Sequence, residues 1–203
     1  MEKILSLAEP TLAGEAFGWD PSKVTTGSNT KRPWVCRFGH VWVATVANRM
    51  KGTGCPYCTG RRVLAGFNDL ATVNPNLATQ AYNWDPTTVT AGCDQKMEWI
   101  CDEGHIWEAK VVSRNRGSGC PFCAGLRTLA GYNDIATTHP ELAKEACDFD
   151  PTTLTAGSNK VVRWKCKNDH IWEAMVNNRS HGTGCPDCRR FGLSDDVNGI
   201  EAA

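Results

Sequence analysis

Twelve cysteine and histidine residues recur at one fixed spacing, and together they could form three metal sites. Each of three copies contains Cys-x-x-x-His, fourteen intervening residues and then Cys-Pro-x-Cys, and successive copies lie 65 residues apart. Three thiolates and one imidazole complete the tetrahedral ligand set that Zn²⁺ prefers. The predicted ligands are Cys36, His40, Cys55 and Cys58; Cys101, His105, Cys120 and Cys123; and Cys166, His170, Cys185 and Cys188.

A site with four protein ligands has no open position for water or substrate, so the three zinc ions should be structural. The chain contains no Gly-rich phosphate loop, no serine nucleophile elbow and no recurring carboxylate pair near a histidine. Asn178-Arg179-Ser180-His181 suggests a His-Asn-His nuclease, but the other copies have Lys51 and Arg116 in place of His181. We therefore predict that the protein is not an enzyme and has no small-molecule substrate.

The remaining cysteines and histidines do not recur, which argues against a role as ligands. Cys93 falls where the other copies have serine, and Cys147 falls where they have Phe17 and Tyr82. His139 and His181 likewise have no histidine at the equivalent positions. The repeat therefore selects twelve ligands and leaves these four residues out.

The elements around the ligands predict a small metal-stabilised α+β fold. In the second copy, residues 99–101 and 106–111 read as two strands that flank a tight turn carrying Cys101 and His105, as in a zinc knuckle. Apolar residues at helical spacing after a proline predict one short helix per copy, at 10–17, 75–82 and 140–147. We expect three tandem zinc-ribbon or treble-clef-like units, each a short β-hairpin with a zinc knuckle plus a short helix, at 1–69, 70–134 and 135–203.

The choice between ribbon and treble clef stays open. A treble clef needs a helix that starts at the second ligand pair, and Gly60 and Gly125 would cut such a helix short. Units of about 65 residues bury too little apolar surface to be stably folded by their cores alone, and a bound metal is one way to stabilise them. Metal loss should therefore unfold a unit.

Composition favours a reducing compartment. Eleven cysteines could form disulfides in a secreted protein, but no signal peptide opens the chain and the matching histidines would then have no explanation. No stretch approaches the ~20 apolar residues of a membrane helix. We expect a cytoplasmic protein that does not interact with membranes.

The Trp-x-Cys-x-x-x-His-x-Trp and Gly-x-Gly-Cys-Pro-x-Cys motifs resemble those of a family of uncharacterised bacterial and phage domains described as zinc ribbons. The resemblance covers nearly the whole chain in three copies, including Asn-Asp-(Leu/Ile)-Ala-Thr…Pro-x-Leu-Ala at 68–78 and 133–143. Similar modules occur in arrays and fused to nuclease domains, which implies an accessory role in DNA targeting. This chain departs from such fusions because it has no recognisable nuclease domain.

Residues for contact with a partner can be chosen from the same repeat. Arginine occupies one position in all copies, with a basic residue two positions later in the first two, and two arginines follow the first site. These residues could contact phosphates or a guanine edge, although the repeated arginine could equally support its own loop. The candidates are Arg49, Lys51, Arg61, Arg62, Arg114, Arg116 and Arg179. Aromatic side chains can stack on unpaired bases, but six tryptophans that flank the knuckles are expected mainly in the core: Trp34, Trp42, Trp99, Trp107, Trp164 and Trp172.

Charge separates two functional hypotheses. Formal net charge is zero, but residues 7–71 carry eight Lys/Arg and four Asp/Glu, a net of +4, whereas 72–136 and 137–203 are each −2. Because only the first copy is basic, charge weighs against tight nucleic-acid binding by bulk electrostatics. The favoured prediction is still an array that binds nucleic acid, most readily DNA, through repeated weak contacts. It is based on the repeated arginine, the zinc scaffold and the family resemblance. The alternative is a zinc-finger adaptor for protein–protein interaction, such as a phage or host regulator, which the neutral charge and the acidic second and third units favour.

Overall fold

The computed structural model describes residues 3–193 and contains one arrangement of elements three times. In the first repeat, helices α1 (Leu5–Ala8) and α2 (Pro10–Ala13) precede strands β1 (Lys31–Val35) and β2 (Val41–Thr45) and helix α3 (Val46–Met50). The second repeat has α4 (Leu70–Val73), α5 (Pro75–Ala78), β3 (Lys96–Ile100), β4 (Ile106–Lys110) and α6 (Val111–Asn115). The third has α7 (Ile135–Thr138), α8 (Pro140–Ala143), β5 (Val161–Lys165), β6 (Ile171–Met175), α9 (Val176–Ser180) and an additional helix, α10 (Pro186–Phe191).

Each repeat is built on a two-stranded hairpin, which confirms the predicted small α+β fold. The strands of the first hairpin are antiparallel with Trp34 opposite Trp42, and those of the third place Trp164 opposite Trp172. A single bridge from Ala16 to Trp34 adds a third segment beside the first hairpin. The hairpin turn is therefore held between strands whose register is fixed by paired tryptophans.

The first tryptophan of each knuckle motif is the centre of its repeat. The side chains of Trp34, Trp99 and Trp164 are 0% exposed. Each indole N–H donates to a backbone carbonyl ten residues later, at 3.0–3.1 Å, which satisfies the only polar group of the buried ring. A second aromatic ring lies edge-on to each, with centroids 5.0–5.1 Å apart. The predicted core role of these three tryptophans is confirmed.

The helices differ from the prediction in length and number. Helix α2 ends at Ala13 instead of residue 17, because Ala16 forms its bridge to Trp34 and the chain leaves the helical path. The same shortening occurs in α5 and α8, which end at Ala78 and Ala143. The repeat also contains two further short α-helices, one before each proline and one directly after the second strand, and a 3₁₀ helix at Pro21–Lys23, Pro86–Thr88 or Pro151–Thr153. A proline at the first position of α2, α5 and α8 separates each from the helix before it, because proline disfavours helical geometry in the preceding residue.

The described residues group into two compact units, and the division falls inside the second repeat. Cys101–Trp107 belong with the residues from Gly119 onward, and Glu108–Ser118 belong with the residues before Cys101. The predicted boundaries at 69/70 and 134/135 remain predictions.

The segment that follows the first metal site is tied down at two consecutive residues. Asn68 donates to the carbonyls of Tyr57 and Arg62 at 2.7 and 2.8 Å, so it holds the segment against the Cys-Pro-x-Cys turn. Asp69 is fully buried and caps helix α4 by accepting hydrogen bonds from the backbone and hydroxyl of Thr72. Asn133 and Asp134 make the same contacts after the second site. Residues 62–69 and 127–134, which connect successive repeats, thus form folded segments that we call junctions.

Replacing Asp69 with alanine should destabilise the start of the second repeat by about 2–4 kcal/mol, since it removes a helix cap and leaves buried donors unpaired. The donors include Gly66 N, 2.7 Å from the carboxylate, and the hydrogen bond from Thr72 holds the pKa of Asp69 below its ordinary value. Amide hydrogen exchange at Val73 and Asn74, which bond to Asp69 and Leu70 carbonyls, should accelerate. Asp20→Ala, at an exposed cap, is the control and should have a smaller effect. Unchanged exchange in Asp69→Ala would contradict the assignment.

Candidate metal centre

The first predicted ligand set converges on one point. His40 Nδ1 lies 3.5 Å from Cys36 Sγ, 3.3 Å from Cys58 Sγ and 3.7 Å from Cys55 Sγ, and the sulfurs of Cys36 and Cys58 are 3.7 Å apart. With Zn–S bonds of about 2.3 Å and Zn–N bonds of about 2.0 Å, a tetrahedron has edges of about 3.8 Å between sulfurs and about 3.5 Å between sulfur and nitrogen. The residues therefore fit a zinc ion, with the histidine binding through Nδ1.

The second and third sets have the same geometry. His105 Nδ1 lies 3.3–3.7 Å from the sulfurs of Cys101, Cys120 and Cys123. His170 Nδ1 lies 3.4–3.6 Å from those of Cys166, Cys185 and Cys188. In all three sets, the four ligand atoms lie within 4.8 Å of one another. All twelve sequence-predicted ligands are thus brought together as three Cys₃His sites, one in each repeat.

Two tight backbone turns hold the four ligands of each site. In the knuckle turn, Cys36 N donates to His40 O at 3.1 Å and Gly39 N donates to Cys36 O at 2.9 Å. Gly39 has φ +80°, a conformation that strains most other residues. At the second ligand pair, Thr59 N donates to Cys55 O and Arg62 N to Pro56 O, both at 3.0 Å. Each pair of ligands is therefore presented by one reversal of the chain.

The third site differs from the others in having a helix at its second ligand pair. Helix α10 starts directly after Cys185, whose side chain accepts a hydrogen bond from Cys188 N, and it ends at Phe191 with Gly192 as its C-cap. The first two copies have Gly60 and Gly125 at φ +71° and +67° where the third has Arg190. These glycines end the helical turn early, as expected from the sequence.

The clustered sulfurs need a cation in order to be ionised together. Desolvation, together with the sulfurs of Cys55 and Cys36, raises the pKa of Cys58 to about 12. Desolvation and the neighbouring sulfurs of their own sites, Cys120 and Cys101 in one case and Cys188 and Cys166 in the other, raise the pKa of Cys123 and of Cys185 to about 11. Three thiolates crowded into one site repel one another, and a divalent ion supplies the charge that offsets this repulsion.

An aromatic side chain from the junction packs on each of the first two ligand histidines. The Phe67 ring centroid lies 4.2 Å from that of His40, and Tyr132 lies 4.1 Å from His105, both edge-on. These contacts were not predicted, although an aromatic residue recurs at this position of the segment. They orient the imidazole as partners around a metal site commonly do.

Cys93 and Cys147 lie outside the three clusters, as the repeat predicted. The double variant Cys93→Ser/Cys147→Ser should therefore bind three zinc ions with unchanged affinity. Native mass spectrometry and a competition titration with a chromogenic chelator measure the two quantities. The control, Cys55→Ser, should lose one ion. A fall below three ions in the double variant would show that the ligand assignment is wrong.

The repeated arginines are placed inside the fold. Arg49, Arg114 and Arg179 are 7%, 7% and 5% exposed. In each, Nη1 donates to a backbone carbonyl four residues later, and Nη2 donates to Glu15, Gln80 or Glu145. This environment favours the structural one of the two interpretations, because a buried side chain with internal partners is not offered to a nucleic acid.

The guanidinium groups also pack on the core tryptophans. The Arg49 carbon Cζ lies 5.2 Å from the centroid of Trp34 and 5.1 Å from that of Trp42. Arg179 is similarly placed between Trp164 and Trp172. Such cation–π contacts are strongest where the cation is desolvated. The side-chain acceptors Glu15, Gln80 and Glu145 lie 34 residues before their arginines in the sequence. Neither periodicity nor local spacing predicted these pairs.

The other predicted contact residues lie on the surface. Lys51, Arg61, Arg62 and Arg116 are all exposed. None of them has an ion-pair partner among residues 3–193. They remain the members of the predicted set that a partner could reach, and a nucleic-acid contact at these positions stays a prediction.

In each repeat, a hairpin with a zinc knuckle and a second turn together hold a Cys₃His ligand set. This arrangement defines a tandem array of treble-clef-like zinc fingers. The family described as a probable treble clef zinc finger domain matches residues 16–61, 78–126 and 140–191. Because these segments include more than half of the chain and all twelve ligands, the chain belongs to this family. Curated proteins give no match to the chain.

Membership of a zinc-finger family indicates a non-catalytic role. Across residues 3–193, no helix has the length and apolar character needed to cross a membrane.

Proposed function

We propose that the protein is a zinc-stapled array that binds nucleic acid, and that its ligand is DNA. The main observation in support is a set of exposed cations in the first repeat that lack ion-pair partners among the described residues. They are Lys31, Arg37, Lys51, Arg61 and Arg62. Exposed cations that are not engaged within the protein can neutralise phosphates and release counterions.

The acidic residues of the same repeat do not offset these cations. Glu15 pairs with Arg49, Asp20 lies 3.6 Å from Lys23, and Asp69 is a buried helix cap. Only Glu9 of the four acids at 7–71 remains exposed without such a contact. Even with the net −1 that Zn²⁺ and three thiolates contribute, a positive surface remains on this repeat.

The test is a fluorescence-anisotropy titration of the zinc-bound protein with labelled duplex and single-stranded DNA at rising salt. We expect a Kd tighter than ~10⁻⁴ M at low salt and an affinity that falls as salt rises. Arg61→Ala/Arg62→Ala should weaken binding and lower the salt slope by up to ~2. Arg163→Ala is the control, because Arg163 is already engaged by Asp148. A flat salt response, or binding weaker than ~10⁻⁴ M, would overturn the proposal.

A protein-binding adaptor is the second candidate, and one surface feature favours it. The hairpins expose apolar side chains in each repeat, among them Val43, Ile106 and Ile171. Partners that survive nuclease treatment in a pull-down from host lysate would support this role. Partners that disappear with the nuclease would support nucleic-acid binding.

A further inference from the structure

The knuckle of the first repeat exposes an aromatic ring beside a cation. Phe38 is 57% exposed, although it lies between two metal ligands in the chain. The Cζ atom of Arg37 lies 4.7 Å from the Phe38 ring centroid. Arg37 has no ion-pair partner in the described part of the chain. A large ring and a guanidinium thus stand together in solvent.

A second ring extends this surface. Phe67, which is 37% exposed, has its centroid 6.2 Å from that of Phe38 and packs edge-on against the ligand His40. Its neighbour Asn68 is fixed by hydrogen bonds to Tyr57 and Arg62 carbonyls. The Phe67 ring is therefore held by the metal site and the junction, and it would lose little conformational freedom when a flat ligand stacks on it.

One basic residue, Arg62, connects the ring-bearing junction to a cleft of the same repeat. The Asn68 hydrogen bond fixes the Arg62 backbone next to Phe67. Arg62 and Lys31 are the only charged residues that line a cleft of the same repeat, and the remaining lining is neutral. Thr45, Asn48 and Thr53 contribute polar atoms to that cleft. Lys31 lies at the end of the hairpin away from the knuckle. A stacking surface that is linked through Arg62 to a basic cleft matches a base followed by phosphates further along the strand.

The other repeats lack the combination. Asp102 and Glu103 occupy the positions of Arg37 and Phe38 in the second repeat, which reverses the charge. In the third, Asn168 replaces the ring and its amide donates to Cys188 Sγ at 3.1 Å, so it faces the metal site. Positions 37 and 38 and their equivalents lie in the knuckle turn of each repeat, and the same turn forms with each of the three residue pairs.

We propose that Phe38, Phe67, Arg37 and Arg62, with Lys31, form a binding face for single-stranded nucleic acid, and that this face exists only on the first repeat. An unpaired base stacks on the rings, and the flanking phosphates meet the cations. Duplex DNA keeps its bases stacked on one another and cannot use the rings. This inference rests on the proposed nucleic-acid function and specifies its ligand as unpaired strands.

The test compares a labelled 12-nucleotide oligothymidine, the matching oligouridine and a 12-base-pair duplex by anisotropy with the zinc-bound full chain. We expect both single strands to bind about tenfold or more tightly than the duplex, given ~1–3 kcal/mol for one stacked base. Preference for one sugar identifies DNA or RNA as the source of the strand. Each variant is first shown by native mass spectrometry to hold three zinc ions.

The decisive variant copies the second repeat's knuckle into the first, Arg37→Asp/Phe38→Glu, and should weaken single-strand binding at least tenfold. Phe38→Ala should weaken binding without changing the salt slope, whereas Arg62→Ala should lower the slope by ~0.7. The reciprocal change, Asp102→Arg/Glu103→Phe, should strengthen binding. Lys23→Ala removes a charge that Asp20 already engages and should change affinity less than twofold.

The outcomes separate this face from the broader proposal. Equal affinity for single strand and duplex, or unchanged affinity in Arg37→Asp/Phe38→Glu, would overturn the stacking face while nucleic-acid binding stands. Absence of binding to all three probes would overturn both. A peptide or protein that binds the wild-type face, when none of the three nucleic-acid probes binds, would count against both proposals and favour the adaptor.

Discussion

Removal of zinc is expected to unfold every repeat of this protein. Structural zinc contributes an apparent ~10–16 kcal/mol in finger peptides, which matches or exceeds the net stability of a whole small domain. Each repeat has a modest apolar core around one fully buried tryptophan, and the metal joins its knuckle to its second ligand pair. We expect chelation to abolish the far-ultraviolet circular dichroism of the hairpins and to shift tryptophan fluorescence to the red.

Single ligand variants localise this effect. Cys185→Ser should remove one ion and unfold the third repeat, whereas Cys147→Ser, at an exposed non-ligand cysteine, should do neither. Native mass spectrometry counts the ions, and tryptophan fluorescence reports the core. A chelated protein that keeps its circular dichroism would show that the metal is not the staple.

The three sites should also release zinc at different rates. All three cysteines of the third site are buried, whereas Cys58 and Cys123 of the other two are exposed. Helix α10 and the amide of Asn168 further enclose Cys188. We therefore expect two ions to leave rapidly and one slowly when excess chelator is added, as followed by stopped-flow absorbance. Asn168→Ala should speed the slow phase, and a single phase for all three ions would contradict the difference in enclosure.

The ligands could be predicted from the sequence because tetrahedral coordination fixes the type and spacing of the ligand residues, and the same spacing occurs in all three copies. The hairpin was predictable for the same reason, since Trp-x-Cys and His-x-Trp place one tryptophan of each strand at equal distance from the knuckle. The predicted strand 106–111 ends one residue early, because Val111 begins helix α6. In the first repeat the corresponding helix begins with a cap from Thr45, which accepts from Asn48 N.

Contacts between distant residues could not be predicted. The role of Arg49 remained open because its partner Glu15 lies 34 residues away, in a segment predicted only as helix. The bridge from Ala16 to Trp34 ends that helix, and helical spacing alone contains no signal for it. Likewise, an exposed Phe38 and a buried tryptophan cannot be told apart by residue type.

Replacing the buried arginine of the third repeat should lower the free energy of unfolding more than any other substitution outside the metal ligands. Arg179 and Glu145 form an ion pair in which the side chains are only 2% and 10% exposed. Arg179→Met would leave the Glu145 carboxylate buried without its cation and should cost about 3–5 kcal/mol in the free energy of unfolding. Glu145→Gln is the matched control, because the second repeat already pairs Arg114 with Gln80.

That control should cost only about 1–2 kcal/mol, since an amide oxygen replaces a charged acceptor while the hydrogen bond remains. Urea unfolding of the zinc-saturated protein, followed by tryptophan fluorescence, measures both variants. Equal losses would mean that hydrogen-bond geometry, not charge, determines the stability of this pair. If Arg179→Met were as stable as the wild type and still held three zinc ions, the guanidinium would have no structural role. The repeated arginine would then again be a candidate for contact with a partner.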